Sequence, residues 1–178
     1  MDNCPLYNSR IVDNYVNLIK KHYRHVDICA LLKYAGMTSY EVADQGHWFS
    51  QDQINRFHER LAHVTGNDAI AREAGRFAAS PGSLGIVRQY VLGMLEPSRA
   101  YAIIGKMAAN ITRSSTFESK KLTSNKVEIK VHVNPGVREK PFQCENRTGF
   151  FESVTLAFSN RLPVIEHPEC IFRGDACC

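Results

Sequence analysis

Hydrophobic positions along the first two-thirds of the chain recur at helical spacing. In "RIVDNYVNLIKKHY", Ile11, Tyr15, Leu18 and Ile19 share one stripe, which predicts a helix. "VDICALLKYAG" carries Ile28, Leu31, Leu32 and Ala35 on another, and Gly36 is its stop signal. "SQDQINRFHERLAHVTG" gives the clearest pattern. Ser50 and Gln53 form a capping-box pair, Ile54, Phe57, Leu61 and Val64 make one apolar face, and Gly66 ends the run. "DAIAREAGRFAA" predicts a small-residue helix with Ile70, Ala74 and Phe77 facing inward. After the break at Ser80-Pro81-Gly82, "SLGIVRQYVLGML" is apolar enough for a nearly buried helix, and "PSRAYAIIGKMAANI" predicts another, capped near Ser98.

The period then changes. "KVEIKVHV" alternates strictly, with Val127, Ile129, Val131 and Val133 on one side and Lys126, Glu128, Lys130 and His132 on the other, as a half-buried strand requires. "TFESKKL" before the Ser124-Asn125 turn is its expected hairpin partner. "NRTGFFESVTLAFSNRL" returns to helical spacing through Phe150, Val154, Ala157 and Phe158. "VIEHPECIF" predicts an edge-like strand interrupted by Pro168, and a further strand is expected to begin at Cys177, where the sequence leaves it no room to finish. That cut-off strand gives the expectation of a piece of a longer protein. The fold class is therefore α+β: a helical part, residues 1–113, packed on a small antiparallel sheet with a covering helix, residues 114–178, in one compact unit.

Composition narrows the function classes. The chain has 178 residues, 44% hydrophobic and 22% charged, enough to bury a core without disulfide support. A net charge of +4 with scattered lysines and arginines gives no basic face with interleaved aromatics, so direct nucleic-acid binding is not expected. The N-terminus lacks the apolar segment of a signal peptide, and no apolar run is long enough to span a membrane. A cytoplasmic, reducing setting is expected, where cysteines bind metal or stay free more often than they pair.

The chemistry concentrates near the end. Cys144, His167, Cys170 and Cys178 are spaced C-x22-H-x2-C-x7-C. The Gly174-Asp175 turn can fold Cys178 back beside Cys170, and Cys144 lies where the covering helix starts. Three thiolates and an imidazole are a donor set for closed, tetrahedral structural Zn²⁺, with no position left for substrate. Unligated reduced cysteines and a redox or disulfide role are the competing readings of the same residues. Cys4 and Cys29 are expected to be ordinary, Cys29 as a small hydrophobe in an apolar helix.

"C…EHPECIFRGDACC" resembles the end of the 4-vinyl reductase domain, a small α/β sensor module whose aromatic-sensing members hold a structural zinc. The resemblance covers about the last 60 residues and implies a cysteine, a carboxylate and two cysteines at the same three gaps. His167 stands where that pattern has a glutamate, and Glu166 and Glu169 compete for its role. Of the vicinal pair Cys177-Cys178, the family spacing selects Cys178. Roughly residues 26–115, "LLKYAGMTSYEVADQGHWFSQDQINRFHERLAHVTGNDAIAREAG…", resemble the arabinose-binding-type input domain of AraC-type transcriptional regulators, without a DNA-binding helix-turn-helix. Both resemblances imply a bacterial sensory input domain. It would bind a small, mostly apolar ligand and signal to an effector after Cys178, such as a histidine kinase or diguanylate cyclase. A homodimer is expected.

No nucleophile, base and acid set emerges, so no enzyme is expected. The alternatives are an enzyme or accessory acting on a tetrapyrrole or aromatic, and a ligand-free dimerisation module. Trp48, Phe49, Tyr90 and Tyr101 are the candidate ligand-binding residues, chosen for aromaticity in apolar context. His47-Trp48-Phe49 reads either as a core plug or as a pocket lid, and Gly85, Gly93 and Gly105 either permit close packing or leave space for a ligand. His22 and His25 suit the cationic end of the first helix, whereas His58 and His63 are expected at the surface. No histidine spacing selects a heme ligand.

Overall fold

The computed structural model describes residues 4–78, 101, 105–106, 108–159 and 161–178. Chain order is β1 (Pro5–Asn8), α1 (Ser9–His22), α2 (Ile28–Ala35), α3 (Ser39–Ala43), β2 (Trp48–Ser50), α4 (Gln51–Thr65), α5 (Ile70–Ala78), β3 (Ser115–Lys121), β4 (Val127–Val133) and α6 (Pro141–Ser159). The fold is α+β, with helices first and a β3–β4 hairpin later. The expected helix at 83–95, with Gly85, Tyr90 and Gly93, lies outside the described residues, as does most of the one at 97–111.

Local signals set the helix ends. Asn8 caps α1 by accepting from the Arg10 amide, and Lys20, Lys21 and His22 occupy its last turn, where cations face the carbonyl end. Gly36 and Gly66 close α2 and α4 at φ of 70° and 62°, a left-handed conformation that a side chain resists. At α4 the Ser50 amide donates to Gln53 Oε1 (3.0 Å), and the Gln53 amide donates to Ser50 Oγ (3.3 Å). The stripes predicted on α1, α2 and α4 then meet in one core around Leu18, Ile19, Leu31, Phe49, Phe57 and Leu61.

The β1–β2 pair has no counterpart in the hydrophobic pattern. It is antiparallel, with Tyr7 opposite Phe49 and Asn8 opposite Trp48. Arg113 donates its amide to the Leu6 carbonyl (2.8 Å), so β1 is also tied to the segment that leads into β3. The β3–β4 hairpin has the expected alternation, running in register from Ser115 opposite Val133 to Lys121 opposite Val127. Only Val131 of the apolar side is fully buried; Val127 and Ile129 are half-buried and pack with Tyr101, Phe150, Phe151 and Val154 in a second, smaller core.

Helix α6 joins the two halves. It begins at Pro141, earlier than the apolar spacing indicated, because proline suits the first helical position and Gln143 Oε1 accepts from the Lys140 amide (2.5 Å). It crosses α5 at Gly75 and Gly149. A Cβ on Gly75 would collide with the Asn146 carbonyl, and one on Gly149 with the Arg72 carbonyl. The crossing is flanked by ion pairs from Glu152, buried on α6, to Arg72 (2.6 Å) and Arg76 (2.5 Å).

Three expectations are corrected. The strand foreseen at "VIEHPECIF" is absent: that stretch is irregular and runs into a 3₁₀ turn, Ile171–Arg173. Pro168 within it and Pro163 just before it each lack a ladder donor. His58 is half-buried rather than at the surface, stacked on Phe142, which arrives from a distant part of the chain. Cys29 is exposed, since the apolar stripe of α2 runs through Leu31, Leu32 and Ala35 on another face. No helix of the described residues is long and apolar enough to cross a membrane.

Candidate metal centre

Three separate segments deliver four donor atoms to one place. Cys144 comes from the start of α6, His167 from the irregular stretch after it, and Cys170 and Cys178 from the two sides of the Gly174-Asp175 turn. All four donor atoms lie within 4.8 Å of one another. Cys144 Sγ is 3.7 Å from His167 Nε2, and Cys178 Sγ is 3.6 Å from Cys170 Sγ.

Backbone chemistry holds the turn. Gly174 sits at φ 95°, where a side chain would be strained. The Cys170 amide donates to Asp175 Oδ2 (2.7 Å), and its carbonyl accepts from the Arg173 amide (2.8 Å). Arg173 also donates to the His167 carbonyl (2.7 Å), which fixes that loop to the turn. Cys178 is set by the sheet. It exchanges both backbone hydrogen bonds with Val131, at 2.7 and 3.2 Å, as residues do in a hydrogen-bonded antiparallel pair. The extended pairing expected near Cys177 is thus seen at Cys178.

The alternation of the vicinal cysteines decides which of them faces the cluster. Cys177 Sγ points away and donates to Glu169 Oε2 (3.3 Å). Glu166 is paired with Lys126 Nζ (2.7 Å). Both rival carboxylates therefore have other partners, and His167 is the fourth group at the cluster.

The arrangement can hold a metal ion. Zinc bonded to sulfur at about 2.3 Å in a tetrahedron separates its sulfurs by about 3.8 Å. The 3.6 Å between the Cys170 and Cys178 sulfurs approaches that spacing, and the 3.7 Å from Cys144 Sγ to His167 Nε2 approaches the roughly 3.6 Å expected between a zinc-bound sulfur and nitrogen. Burial pushes the Cys144 thiol up to about 12, the Cys178 and Cys170 sulfurs add to the rise, and Arg147 opposes it. Burial likewise raises Cys178, against the Ile171 amide that donates to its sulfur (3.4 Å). A bound dication would replace the protons that these two thiols otherwise keep.

Sequence reading missed the charged pair beside the cluster. Arg147, one turn beyond Cys144 on α6, donates to both oxygens of Glu139 (3.0 and 2.7 Å). The Glu139 carboxylate is fully buried and also accepts from Ser114 Oγ (2.6 Å). Nothing in the local pattern marks this pair, because Glu139 lies in a loop and its burial depends on the start of β3.

The aromatic candidates do not share one site. Phe49 is fully buried in the main core, edge-on to His47. Trp48 lies at a surface groove beside Glu41, Asp52 and Arg56, with the Arg113 guanidinium 3.9 Å from its ring centre. Tyr101 is buried beside an apolar crevice with Gly105, Phe117, Ile129 and Phe151, and its hydroxyl hydrogen-bonds Thr155 Oγ1. None of the seven histidines lines that crevice. Tyr90 lies outside the described residues.

No family model and no curated protein matches the chain. A solved structure described as "Modulating Heme Redox Potential Through Protein-Induced Porphyrin Distortion" is similar, with a TM-score of 0.59, 16% identity and 85% of each chain covered. At that identity the likeness shows a shared fold and leaves the ligand to be argued from this chain's own residues.

Proposed function

We propose that this protein is a sensory input module whose C-terminal turn is clamped to α6 by a structural zinc ion. The observation that carries the reading is the convergence of Cys144, His167, Cys170 and Cys178 from three segments onto one point. Zinc supplies a redox-inert crosslink there, and a closed set of four donors leaves no position for substrate. The resemblance to the 4-vinyl reductase domain at these same residues supports the reading. Six free cysteines suit a reducing, cytoplasmic setting.

The ligand is small and mostly apolar, as the resemblance implies. The signal leaves through the strand edge where Cys178 pairs with Val131, toward an effector joined beyond it, in a homodimer. Such a signal requires that the ligand bind two arrangements of that edge with different affinity. A tetrapyrrole is the second reading of the ligand, favoured by the words that describe the fold neighbour.

Metal analysis with thiol titration tests the clamp: one zinc per chain with Cys144, Cys170 and Cys178 protected is expected. Six freely reacting thiols and no metal would overturn it. Native mass spectrometry and the visible absorbance spectrum of the purified protein then separate an apolar ligand from a porphyrin.

A further inference from the structure

The Glu139–Arg147 pair has no role in the clamp as described so far, yet it is buried beside it. Arg147 projects from α6 one turn past Cys144, and its side chain is only 14% exposed. Three residues apart on one helix, Arg147 and Cys144 lie on the same face, so the guanidinium rises from the side of α6 that carries the cluster's first sulfur. Three thiolates and a neutral imidazole around a dication carry one net negative charge, held in a poorly solvated place. Glu139 spends the same guanidinium from the other side, with both carboxylate oxygens on Arg147 and Ser114 behind them.

We propose that Arg147 is the charge partner of the metal centre, and that Glu139 limits how much of its charge reaches the thiolates. The pair thereby sets the metal affinity. The inference rests on the reading of the cluster as a metal site. It predicts opposite effects from the two partners, which a purely structural ion pair does not. Removing Arg147 leaves the anionic cluster and Glu139 facing each other. Removing the Glu139 charge leaves Arg147 buried with no counter-charge until the metal-loaded cluster supplies one. Loading is then linked to relief of that penalty and becomes tighter.

The experiment is zinc titration of the whole chain against a competing chelator at fixed pH, for wild type, Arg147→Met and Glu139→Gln. Outer groups of a metal site change affinity by about 10–100-fold when altered. Arg147→Met should weaken zinc by about that range, and Glu139→Gln should tighten it by about tenfold. Arg147→Lys, which keeps the charge, should recover part of the loss. Circular dichroism of each metal-free variant establishes that it folds; if Arg147→Met does not, the Glu139→Gln and Arg147→Lys affinities decide alone. Equal affinities, or weakening by Glu139→Gln, overturn the inference while the clamp stands. A wild-type chain that takes up no zinc overturns the clamp and the inference together. Cobalt(II) in place of zinc gives a second readout. The thiolate charge-transfer bands should shift with Arg147→Met if the guanidinium faces the sulfurs, and stay fixed if its role is only to brace β3.

Discussion

The imidazole of His58 on α4 lies flat against the ring of Phe142 at the start of α6, with centroids 3.9 Å apart and planes 7° from parallel. Its Nε2 is buried and meets no hydrogen-bond partner among the described residues. Burial pulls the imidazole down to about 4, and the positive charge of Lys140 adds to the fall.

A pH dependence follows from that stack. The folded pKa lies below the unfolded value of about 6.5, so between these values the unfolded chain binds a proton that the folded chain refuses. This contribution to stability is complete above about pH 6.5 and is lost as pH falls toward 4. At 1.36 kcal/mol per unit its upper bound is roughly 3 kcal/mol. Urea denaturation from pH 7.5 to 4.5 should show the loss, and His58→Phe should flatten the curve. An unchanged slope in that variant would assign the dependence to other groups.

Gly149→Ala should destabilise the chain by about 1–3 kcal/mol, the range for overpacking. The new methyl meets the Arg72 backbone rather than a flexible side chain, so α5 and α6 must separate. Thermal melts check this. A variant that melts with wild type would show that the crossing can yield.

On the reading of the cluster as a zinc clamp, removal of the metal should loosen the sheet edge. Chelation, or Cys170→Ser, is expected to lower the melting temperature and to expose the Val131 amide, which is bonded to the Cys178 carbonyl at 2.7 Å. Hydrogen exchange at Val131, followed with and without chelator, reads the effect directly. Unaltered exchange would separate the strand pairing from the metal.

Ser50→Ala removes one half of the capping box at α4 and should cost about 1 kcal/mol. Gln53 still holds the Ser50 amide, so the helix start should survive in the far-ultraviolet spectrum while the denaturation midpoint moves.

Local chemistry was readable in advance where a few neighbouring residues decide the outcome. Ser50 with Gln53, Gly36, Gly66 and the alternation through Val131 each impose their structure within one turn or one hairpin. The cluster was readable in part for a related reason: a tight turn leaves Cys170 and the end of the chain little freedom, while the choice of Cys178 over Cys177 came from the spacing of the resemblance. The misses share another cause. β1 has only four residues and depends on β2 and Arg113, far along the chain. His58 looked exposed because the residue that covers it, Phe142, belongs to another helix. At "VIEHPECIF" the apolar residues suggested a strand, yet Pro168 within it and Pro163 just before it govern the backbone, and Val164 is left 92% exposed.

The crossing of Gly75 and Gly149 has a meaning beyond stability. With backbone against backbone, α6 has one permitted register on α5: slid by one residue, it would bring Thr148 or Phe150 against the Arg72 carbonyl. A slip of one full turn would carry Cys144 about 5.4 Å along the axis, farther than the span of the whole donor cluster. The small residue on α6 is thus the locating pin for a sulfur several positions away, and the accuracy of the donor cluster is set at a contact that contains no side chain at all.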